Sequence, residues 1–291
     1  MTILPLAYST NGFTERTLIE ALKEIAEIGY QGVELLGDRP HWTLDTNTEA
    51  NAHELRRVIQ DLDLKVSNVN GNTAMYFWPK WMPETLFEPS LSHRDRSVRL
   101  QRLEATFALM DWAKLVGAPR VSVTSGRCPG LSTPEVETAH FIESLHTLCE
   151  YAEQLDLQLS IEYEPGLLIE RWVELAQVIQ RVDHPCLGAN LDLGHARCAG
   201  EDPIEAIRGL KGKIWNIHIE DIMGLKHYHL IPGEGDMPLA LYMQELCDLQ
   251  YQGMLTVELY TYANHPQKTD REAASQAFTY LSQLKAQLSE I

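Results

Sequence analysis

The feature of this sequence that most limits its fold is a repeated alternation of short apolar segments with longer amphipathic ones. An apolar strand at 3–9 precedes a helix that Gly29 closes, and a second strand follows at 32–36. Eight such strands are predicted, and the helices between them require the strands to be parallel. Eight strands favour an α/β fold, a (β/α)8 TIM barrel with residues 1–291 as a single domain, over a doubly wound sheet.

Further helices are predicted at 47–61, 92–116, 134–155, 170–182, 238–250 and 269–288, with a short one after Pro203. The longest irregular segment, at about 71–92, contains several aromatic residues. A loop of this length in a compact domain is usually functional or disordered, and the aromatic content argues against disorder. We therefore expect a lid over a site. The alternative is a flap that packs on a helix or on a second subunit, which would make the protein a homodimer.

Composition excludes several classes of protein. The net charge of −17 argues against nucleic acid as a partner, because phosphate backbones repel such a surface. No segment approaches the roughly 18 to 20 apolar residues of a spanning helix, so no membrane association is expected. The first residues lack the basic flank of a signal peptide, which predicts a cytoplasmic location. The five cysteines lack Cys-x-x-Cys spacing and are interpreted as reduced thiols.

Metal-binding residue types stand at the ends of four consecutive predicted strands. Apolar residues 159–161 run into Glu162, and the next three strands end at Asp192, His218 and Glu258. In a barrel, residues at the carboxyl ends of the strands meet at one mouth. Buried carboxylates need a cation, and this oxygen-rich set with one imidazole suits Mn²⁺, Mg²⁺ or Co²⁺, with Zn²⁺ as a further candidate. We therefore predict a divalent metal site.

Two residues follow these ligands at short spacing. His195 lies three residues after Asp192, either as a donor to a substrate oxygen or as a loop residue beside a helix-capping aspartate. Asp221 lies three residues after His218, where it could orient the imidazole or contact the ligand.

His227 and His229 follow in the same loop and could line the pocket, bind a second metal or be solvated. Residues after strands two to four are interpreted as ordinary loop residues rather than substrate contacts: Glu34, Arg39, His41, Asn70 and Arg127.

Taken together, these segments resemble the xylose isomerase-like TIM-barrel superfamily, which includes the sugar phosphate isomerases/epimerases. The segments are Glu162 with Glu164-Pro165-Gly166, Asp192-Leu193-Gly194-His195, His218-Ile219-Glu220-Asp221, Pro232-Gly233-Glu234-Gly235-Asp236 and Val257-Glu258. The resemblance covers nearly the whole chain. The superfamily includes ketose 3-epimerases, inosose and 3-dehydroshikimate dehydratases, and endonuclease IV, so the resemblance does not specify a substrate.

The resemblance implies that Glu162, Asp192, His218 and Glu258 hold the metal, with Mn²⁺ expected, and that Glu162 and Glu258 also transfer protons. It assigns substrate binding to His195. Tyr163 separates Glu162 from Glu164-Pro165, so Glu162 is ranked as the ligand and Glu164 as a substrate contact. Trp78 could cover the apolar face of a sugar ring. Asp221, His227 and His229 complete the predicted substrate-binding residues.

The implied function is a metal-dependent isomerase or epimerase of a small polyhydroxy carbonyl compound. A metal on the carbonyl and hydroxyl oxygens would stabilise the enediolate formed when a carboxylate removes the adjacent proton. A dehydratase on the same scaffold is the main alternative. A hydrolase of abasic DNA and a non-catalytic metabolite binder are the others, and the acidic charge counts against the hydrolase.

Overall fold

Parallel strands close into a barrel, and the connecting helices form its outer layer. The computed structural model describes residues 4–44, 48–78, 80, 87–127 and 132–289. The barrel strands are β1 (Leu6–Ser9), β2 (Gly32–Leu36), β3 (Lys65–Asn70), β4 (Arg120–Thr124), β5 (Gln158–Glu162), β6 (Leu187–Asp192), β7 (Ile214–Ile219) and β10 (Leu255–Val257). A hairpin of β8 (Asp221–Met223) and β9 (Lys226–Leu230) follows β7.

The helices alternate with the barrel strands, and their bounds are close to the predicted ones. They are α1 (Leu18–Ile28), α2 (Glu49–Asp61), α3 (Arg96–Val116), α4 (Pro134–Gln154), α5 (Trp172–Val182), α6 (Leu193–Cys198), α7 (Pro203–Gly209), α8 (Leu239–Asp248) and α9 (Asp270–Ser289). Short 3-10 helices cover Thr10–Phe13 and Tyr260–Tyr262. None of the helices in the described ranges is both long and apolar enough to cross a bilayer.

Strand pairing closes the sheet in the order β1-β10-β7-β6-β5-β4-β3-β2, with β1 also paired to β2. This confirms the predicted (β/α)8 barrel. In the β6–β7 pair Asp192 lies opposite His218, and in the β5–β6 pair Glu162 lies opposite Asn190. The carboxyl ends of these strands therefore open at the same mouth of the barrel.

Local sequence signals fix the helix ends. The Thr17 side chain accepts the backbone N–H of Glu20, and the Glu20 carboxylate accepts the backbone N–H of Thr17, which forms a capping box at the start of α1. Gly29 ends this helix at φ 112°, a conformation that favours glycine. α3 begins at Arg96 rather than at the predicted residue 92, because Asp95 caps it by accepting the backbone N–H of Ser97.

The barrel interior contains a group of hydrogen-bonded side chains that we call the interior polar layer: Glu34, Asn68, Ser122, Asn190 and Asn216. The amide of Asn68 donates to Glu34 Oε2 and to Ser122 Oγ, both at 2.9 Å. The amide of Asn216 donates to the same Glu34 oxygen at 3.1 Å and to Asn190 Oδ1 at 2.9 Å. All five residues have no exposed surface, so these bonds offset the cost of burying their polar groups.

Candidate active site

Glu162, Asp192, His218 and Glu258 converge at the mouth of the barrel, and we call them the carboxylate–histidine cluster. One ligand atom from each lies within 4.8 Å of the others, and all four residues are buried. His218 Nδ1 is 2.9 Å from Glu162 Oε1, 3.6 Å from Glu258 Oε2 and 3.7 Å from Asp192 Oδ2. The structure brings together the four predicted ligands. Their metal-binding role stays a prediction.

Glu34 fixes the orientation of the His218 ring. The Nε2–H of His218 donates to Glu34 Oε2 at 2.7 Å, which turns Nδ1 toward the three carboxylates of the cluster. Burial lowers the pKa of His218, but Glu34, Glu258 and Glu162 outweigh burial and raise that pKa well above its usual value. The interpretation of Glu34 as an ordinary loop residue was therefore wrong: it is a fully buried strand residue that supports the cluster.

The two carboxylate oxygens of Asp192 have different environments. Oδ1 accepts the backbone N–H of His195 at 2.7 Å and so caps α6. Oδ2 is buried and has no hydrogen-bond partner among the described residues. His195 Nε2 and His218 Nδ1 lie 3.6 and 3.7 Å from this atom, too far for hydrogen bonds, so the buried oxygen fits a bound cation. The helix-capping interpretation thus holds for one oxygen, and the other is free to act as a ligand.

Side-chain amides hold the remaining oxygens of the two glutamates. Asn72 donates to Glu162 Oε2 at 2.5 Å, and Asn11 donates to Glu258 Oε1 at 2.7 Å. Asn70 adds a longer bond of 3.4 Å to Glu258 Oε1. Each glutamate therefore has one oxygen fixed by an amide, while the other faces His218. The sequence did not single out Asn11 or Asn72, because each lies in an irregular segment distant from its glutamate.

Burial changes the acidity of two carboxyl groups at the mouth. Desolvation raises the pKa of Glu258 to about 8, even though the nearby His218 opposes the shift. Desolvation also raises the pKa of Glu164 to about 7. Glu164 lines the same cavity as Glu162, as the predicted alternation along the strand requires.

His195, His227 and His229 form a histidine trio beside the cluster. His227 Nε2 is 3.0 Å from His195 Nε2 and 2.9 Å from His229 Nε2. The Nδ1–H groups of His195 and His229 donate to the backbone carbonyls of Tyr163 and Glu258, both at 3.0 Å. A single proton on His227 Nε2 satisfies only one of its two contacts. The trio is therefore suited to a cation or to substrate hydroxyl groups, and both predicted roles stay open.

The position of this trio depends on the β8–β9 hairpin, which the sequence analysis did not predict. His227 and His229 lie on β9, where alternation places both side chains on one face of the strand. The signal in the sequence was Gly224, a turn residue between two short segments at 221–223 and 226–230.

The substrate-binding prediction for Asp221 needs correction. Asp221 Oδ1 accepts backbone N–H groups of Ile222 and Met237, and its Oδ2 accepts that of Gly233, at 2.9 to 3.0 Å. Asp221 does not orient the His218 ring, because Glu34 does so. Nor is it among the residues that line the cavity. Its carboxylate fastens the loop that follows the hairpin.

Trp78 is also absent from the cavity lining. Its Nε1–H donates to the carbonyl of Glu88 at 2.5 Å, so it ties the two described parts of the long loop together. Asn72 and Phe87 from the same loop do line the cavity. Residues 79 and 81–86, which include Trp81, lie outside the described residues.

Glu220 is a further buried acid that the sequence analysis left without a role. It follows β7 directly, is fully buried, and neither of its carboxyl oxygens has a hydrogen-bond partner among the described residues. Burial, and then the negative charge of Asp192, raise the pKa of Glu220 well above its usual value. Gly194 leaves the space that this carboxyl group occupies, because a Cβ there would overlap Glu220 Oε1.

The cavity above the cluster has a volume of about 240 Å³. Most of its lining residues are of polar types, although their carbon atoms contribute much of the surface: Asn11, Leu36, Asn70, Asn72, Phe87, Glu162, Glu164, His195, His227, His229, Glu258 and Tyr260. Asp192 and His218 are fully buried and are not among the lining residues. This volume lies below the ~300–1,000 Å³ typical of ligand pockets, so the cavity suits a small hydrophilic ligand.

The fold and site define a class: a TIM barrel with buried carboxylates and an imidazole at its mouth, a donor set that fits one divalent metal. Comparison with known proteins places the chain more narrowly. It belongs to the xylose isomerase-like TIM barrel family, whose family model matches residues 22–283. The resemblance noted from the sequence is thereby confirmed.

The relatives of this chain include an epimerase and a dehydratase. Fructoselysine 3-epimerase of Escherichia coli O157:H7 is 27% identical over 269 residues, which cover 91% of this chain and 94% of the relative. 3-Dehydroshikimate dehydratase of Pseudomonas putida is 26% identical over 89% of this chain and 38% of its own length. A crystal structure of a D-tagatose 3-epimerase-like protein superposes with a TM-score of 0.80 at 19% identity, covering 99% of both chains.

Proposed function

We propose that this protein is a metal-dependent epimerase that inverts the carbon next to the carbonyl group of a small ketose or ketose derivative. The observation that carries the proposal is the convergence of Glu162 and Glu258 on one buried imidazole, together with Asp192. The likeness to fructoselysine 3-epimerase over nearly the full length of both chains supports the same reaction class.

Glu162, Asp192, His218 and Glu258 would hold the ion, and three carboxylates with one imidazole favour Mn²⁺. A bound divalent ion stabilises the negative charge that develops on adjacent carbonyl and hydroxyl oxygens when the carbon between them loses a proton. Glu34 keeps the His218 ring turned toward the ligands. The helix cap holds Asp192 Oδ1, and Oδ2 has no hydrogen bond among the described residues and would bind the ion.

Proton transfer is assigned to the two glutamates. One of Glu162 and Glu258 removes the proton from carbon, and the other returns a proton to the opposite face of the same carbon, which gives epimerisation. Asn72 and Asn11 hold one oxygen of each glutamate in place. The histidine trio and Glu164 line the cavity and would bind the substrate hydroxyl groups.

The long loop at about 71–92 is proposed to cover the mouth, because Asn72 and Phe87 at its two described ends already line the cavity. Trp78 would contribute to this cover through its bond to Glu88. A homodimer contact through the loop stays a prediction, which light scattering can test. A cytoplasmic location also stays a prediction.

The test is carbon-bound hydrogen exchange. The protein is stripped of metal, reloaded with Mn²⁺ and incubated in D₂O with a panel of ketoses and ketose derivatives. We expect one deuterium at the carbon next to the carbonyl, seen by mass spectrometry and NMR, and no exchange in Glu162→Gln or Glu258→Gln. Metal content is measured for each variant, and Glu205→Gln, at an exposed position on α7, is the control. Exchange that persists in fully stripped protein would reject the proposal.

Dehydration is the second candidate, favoured by the match to 3-dehydroshikimate dehydratase over 89% of this chain. The same proton removal leads to loss of water if a hydroxyl group leaves from the next carbon. Product mass separates the two outcomes, because an epimer has the mass of the substrate and a dehydrated product does not.

A further inference from the structure

A second group of metal-ligating side chains lies at the end of the barrel away from the mouth. Cys149 is on α4, and His184 and Cys186 are in the segment that joins α5 to β6. Cys186 directly precedes β6, whereas Asp192 of the carboxylate–histidine cluster ends it. At about 3.3 Å per residue, the two positions are roughly 20 Å apart along the strand. The two groups are therefore separate.

The ligand atoms of this second group converge. One sulfur or nitrogen atom from each of Cys149, His184 and Cys186 lies within 4.8 Å of the other two. His184 Nδ1 is 3.1 Å from Cys186 Sγ. Cys149 has no exposed surface, whereas His184 and Cys186 are half-buried, so the group has a closed side and an open side.

The hydrogen bonds of His184 prepare Nδ1 to act as a ligand. The backbone N–H of Cys186 donates to His184 Nδ1 at 3.3 Å, so the ring proton is on Nε2, and a zinc ion would replace this long hydrogen bond at the Nδ1 lone pair. Nε2 faces the Glu153 carboxylate, with 3.9 Å between Nε2 and Oε2. At this distance Glu153 provides a nearby negative charge to the ring proton rather than a hydrogen bond.

The backbone from His184 to Leu187 is also held in place by hydrogen bonds. Lys213 Nζ donates to the carbonyls of His184 and Leu187 at 3.4 and 3.2 Å, and Trp215 Nε1 donates to the carbonyl of Cys186 at 3.0 Å. Both donors flank the first residues of β7. The segment is therefore fixed before any ion binds.

We propose that Cys149, His184 and Cys186 form a structural zinc site that fastens α4 to the start of β6. Thiolate sulfur with imidazole selects Zn²⁺ over Mn²⁺ or Mg²⁺, which prefer oxygen. Binding deprotonates the two thiols, releases both protons to solvent and involves no change of oxidation state. A water molecule completes four-coordination on the open side.

The required movement is small. Zn–S bonds of about 2.3 Å and tetrahedral angles place two sulfur ligands about 3.8 Å apart. The two sulfur atoms lie within 4.8 Å of each other and need to close by about 1 Å, whereas His184 Nδ1 and Cys186 Sγ, 3.1 Å apart, need to separate by roughly 0.5 Å. A rotation of the Cys149 or Cys186 side chain supplies a shift of this size without moving α4.

Cobalt distinguishes this site from the one at the mouth. Reduced, metal-stripped protein is titrated with Co²⁺, which gives a sulfur-to-metal charge-transfer band in the near ultraviolet only when thiolates bind it. The carboxylate–histidine cluster contains no sulfur and gives no such band. We expect the band in the wild type, its loss in Cys149→Ser and in Cys186→Ser, and its retention in Cys247→Ser, whose cysteine lies on α8. Zn²⁺ should abolish the band by displacing Co²⁺.

Alkylation followed by peptide mass spectrometry provides the second measurement. Zn²⁺ should protect Cys149 and Cys186 from the alkylating reagent and leave Cys247 reactive. Cys186 is half-buried, so its serine variant is expected to fold even if the Cys149 variant does not. The proposal is wrong if reduced wild-type protein gives no band, or if the two cysteines are recovered only as a disulfide that Zn²⁺ does not prevent.

Discussion

The Nε2 atom of His218 lies 2.7 Å from Glu34 Oε2, and this bond joins β7 to β2 across the interior of the barrel. The same Glu34 oxygen accepts the amides of Asn68 and Asn216. The His218 ring therefore has a fixed orientation, with Nδ1 facing the carboxylates. The orientation of this imidazole depends on a residue from a different strand that touches none of the three carboxylates by hydrogen bond.

Replacement of Glu34 should weaken metal binding. Glu34→Gln keeps the volume and removes the charge that fixes the His218 ring, and the loss of such a supporting partner typically costs about 10- to 100-fold in metal affinity. Competition with a fluorescent chelator measures the affinity, with Glu205→Gln as the control. An unchanged affinity in a folded Glu34→Gln protein would contradict the role.

Loss of either supporting amide should slow exchange more than it weakens metal binding. Asn72→Ala and Asn11→Ala each remove one hydrogen bond to a glutamate oxygen, from Glu162 and Glu258 respectively. A hydrogen bond to a charged group contributes about 1.5 kcal/mol or more, so deuterium exchange should fall by roughly tenfold. The matched control is Asn264→Ala, because the Asn264 amide donates to Glu15 at the surface. If a fall in metal content accounted for the whole loss of deuterium exchange, the two amides would support metal binding rather than proton transfer.

The histidine trio should act on substrate affinity. His227→Ala removes the central Nε2 of the trio and leaves the hydrogen bonds of His195 and His229 to their carbonyls intact. We expect KM to rise about tenfold, the equivalent of about 1.4 kcal/mol, with little change in kcat. Steady-state kinetics on the best ketose measure both constants, and His265→Ala provides an exposed control. A large fall in kcat alone would instead place His227 in proton transfer.

Arg102 should control the described end of the long loop. Its Nε donates to the Pro89 carbonyl at 2.6 Å and its Nη2 to the Phe87 carbonyl at 3.0 Å. Arg102→Met removes both bonds, so Phe87 is no longer held at the cavity and KM should rise on the order of tenfold. Arg99→Met is matched in burial and helix, but Arg99 bonds to the His93 carbonyl outside the cavity. If Arg99→Met raised KM as much as Arg102→Met, the rise would not come from the Arg102 bonds that hold Phe87 at the cavity.

The ion pair between Arg16 and Asp270 gives a pH-dependent contribution to stability. Arg16 Nε and Nη2 bond to the two oxygens of Asp270 at 2.7 and 2.8 Å. Burial opposes the shift, but the Arg16 hydrogen bond outweighs it and lowers the pKa of Asp270. A lowered carboxyl pKa adds stability above the unfolded-state pKa of about 3.9, and this stability is lost as the pH falls.

Asp270→Asn should therefore lower the free energy of unfolding by about 1 kcal/mol at pH 7 and by clearly less at about pH 3, below the unfolded-state pKa. Urea unfolding at both values measures the difference, and Asp61→Asn, at the exposed end of α2, serves as the reference. A deficit that does not shrink on acidification would mean that the ion pair is not its source.

The sequence predicted the architecture and the cluster because both follow from short-range patterns. Strand ends at Glu162, Asp192, His218 and Glu258 are visible as apolar segments that stop at a polar residue, and barrel geometry brings them together.

The sequence did not reveal supporting contacts that depend on pairings between distant strands. The sequence favours an ordinary loop role for Glu34, because its support of His218 depends on β7 lying across the barrel from β2. Asp221 was misassigned for the opposite reason, since spacing suggested the ligand whereas local backbone N–H groups occupy its oxygens.

The interior polar layer has a consequence for protein engineering. Grafting Glu162, Asp192, His218 and Glu258 onto a barrel with an aliphatic lumen would leave the transplanted imidazole without an anchor. A workable transplant has to include Glu34, with the two asparagines that hold it, although none of these three would appear in an alignment limited to the reactive groups.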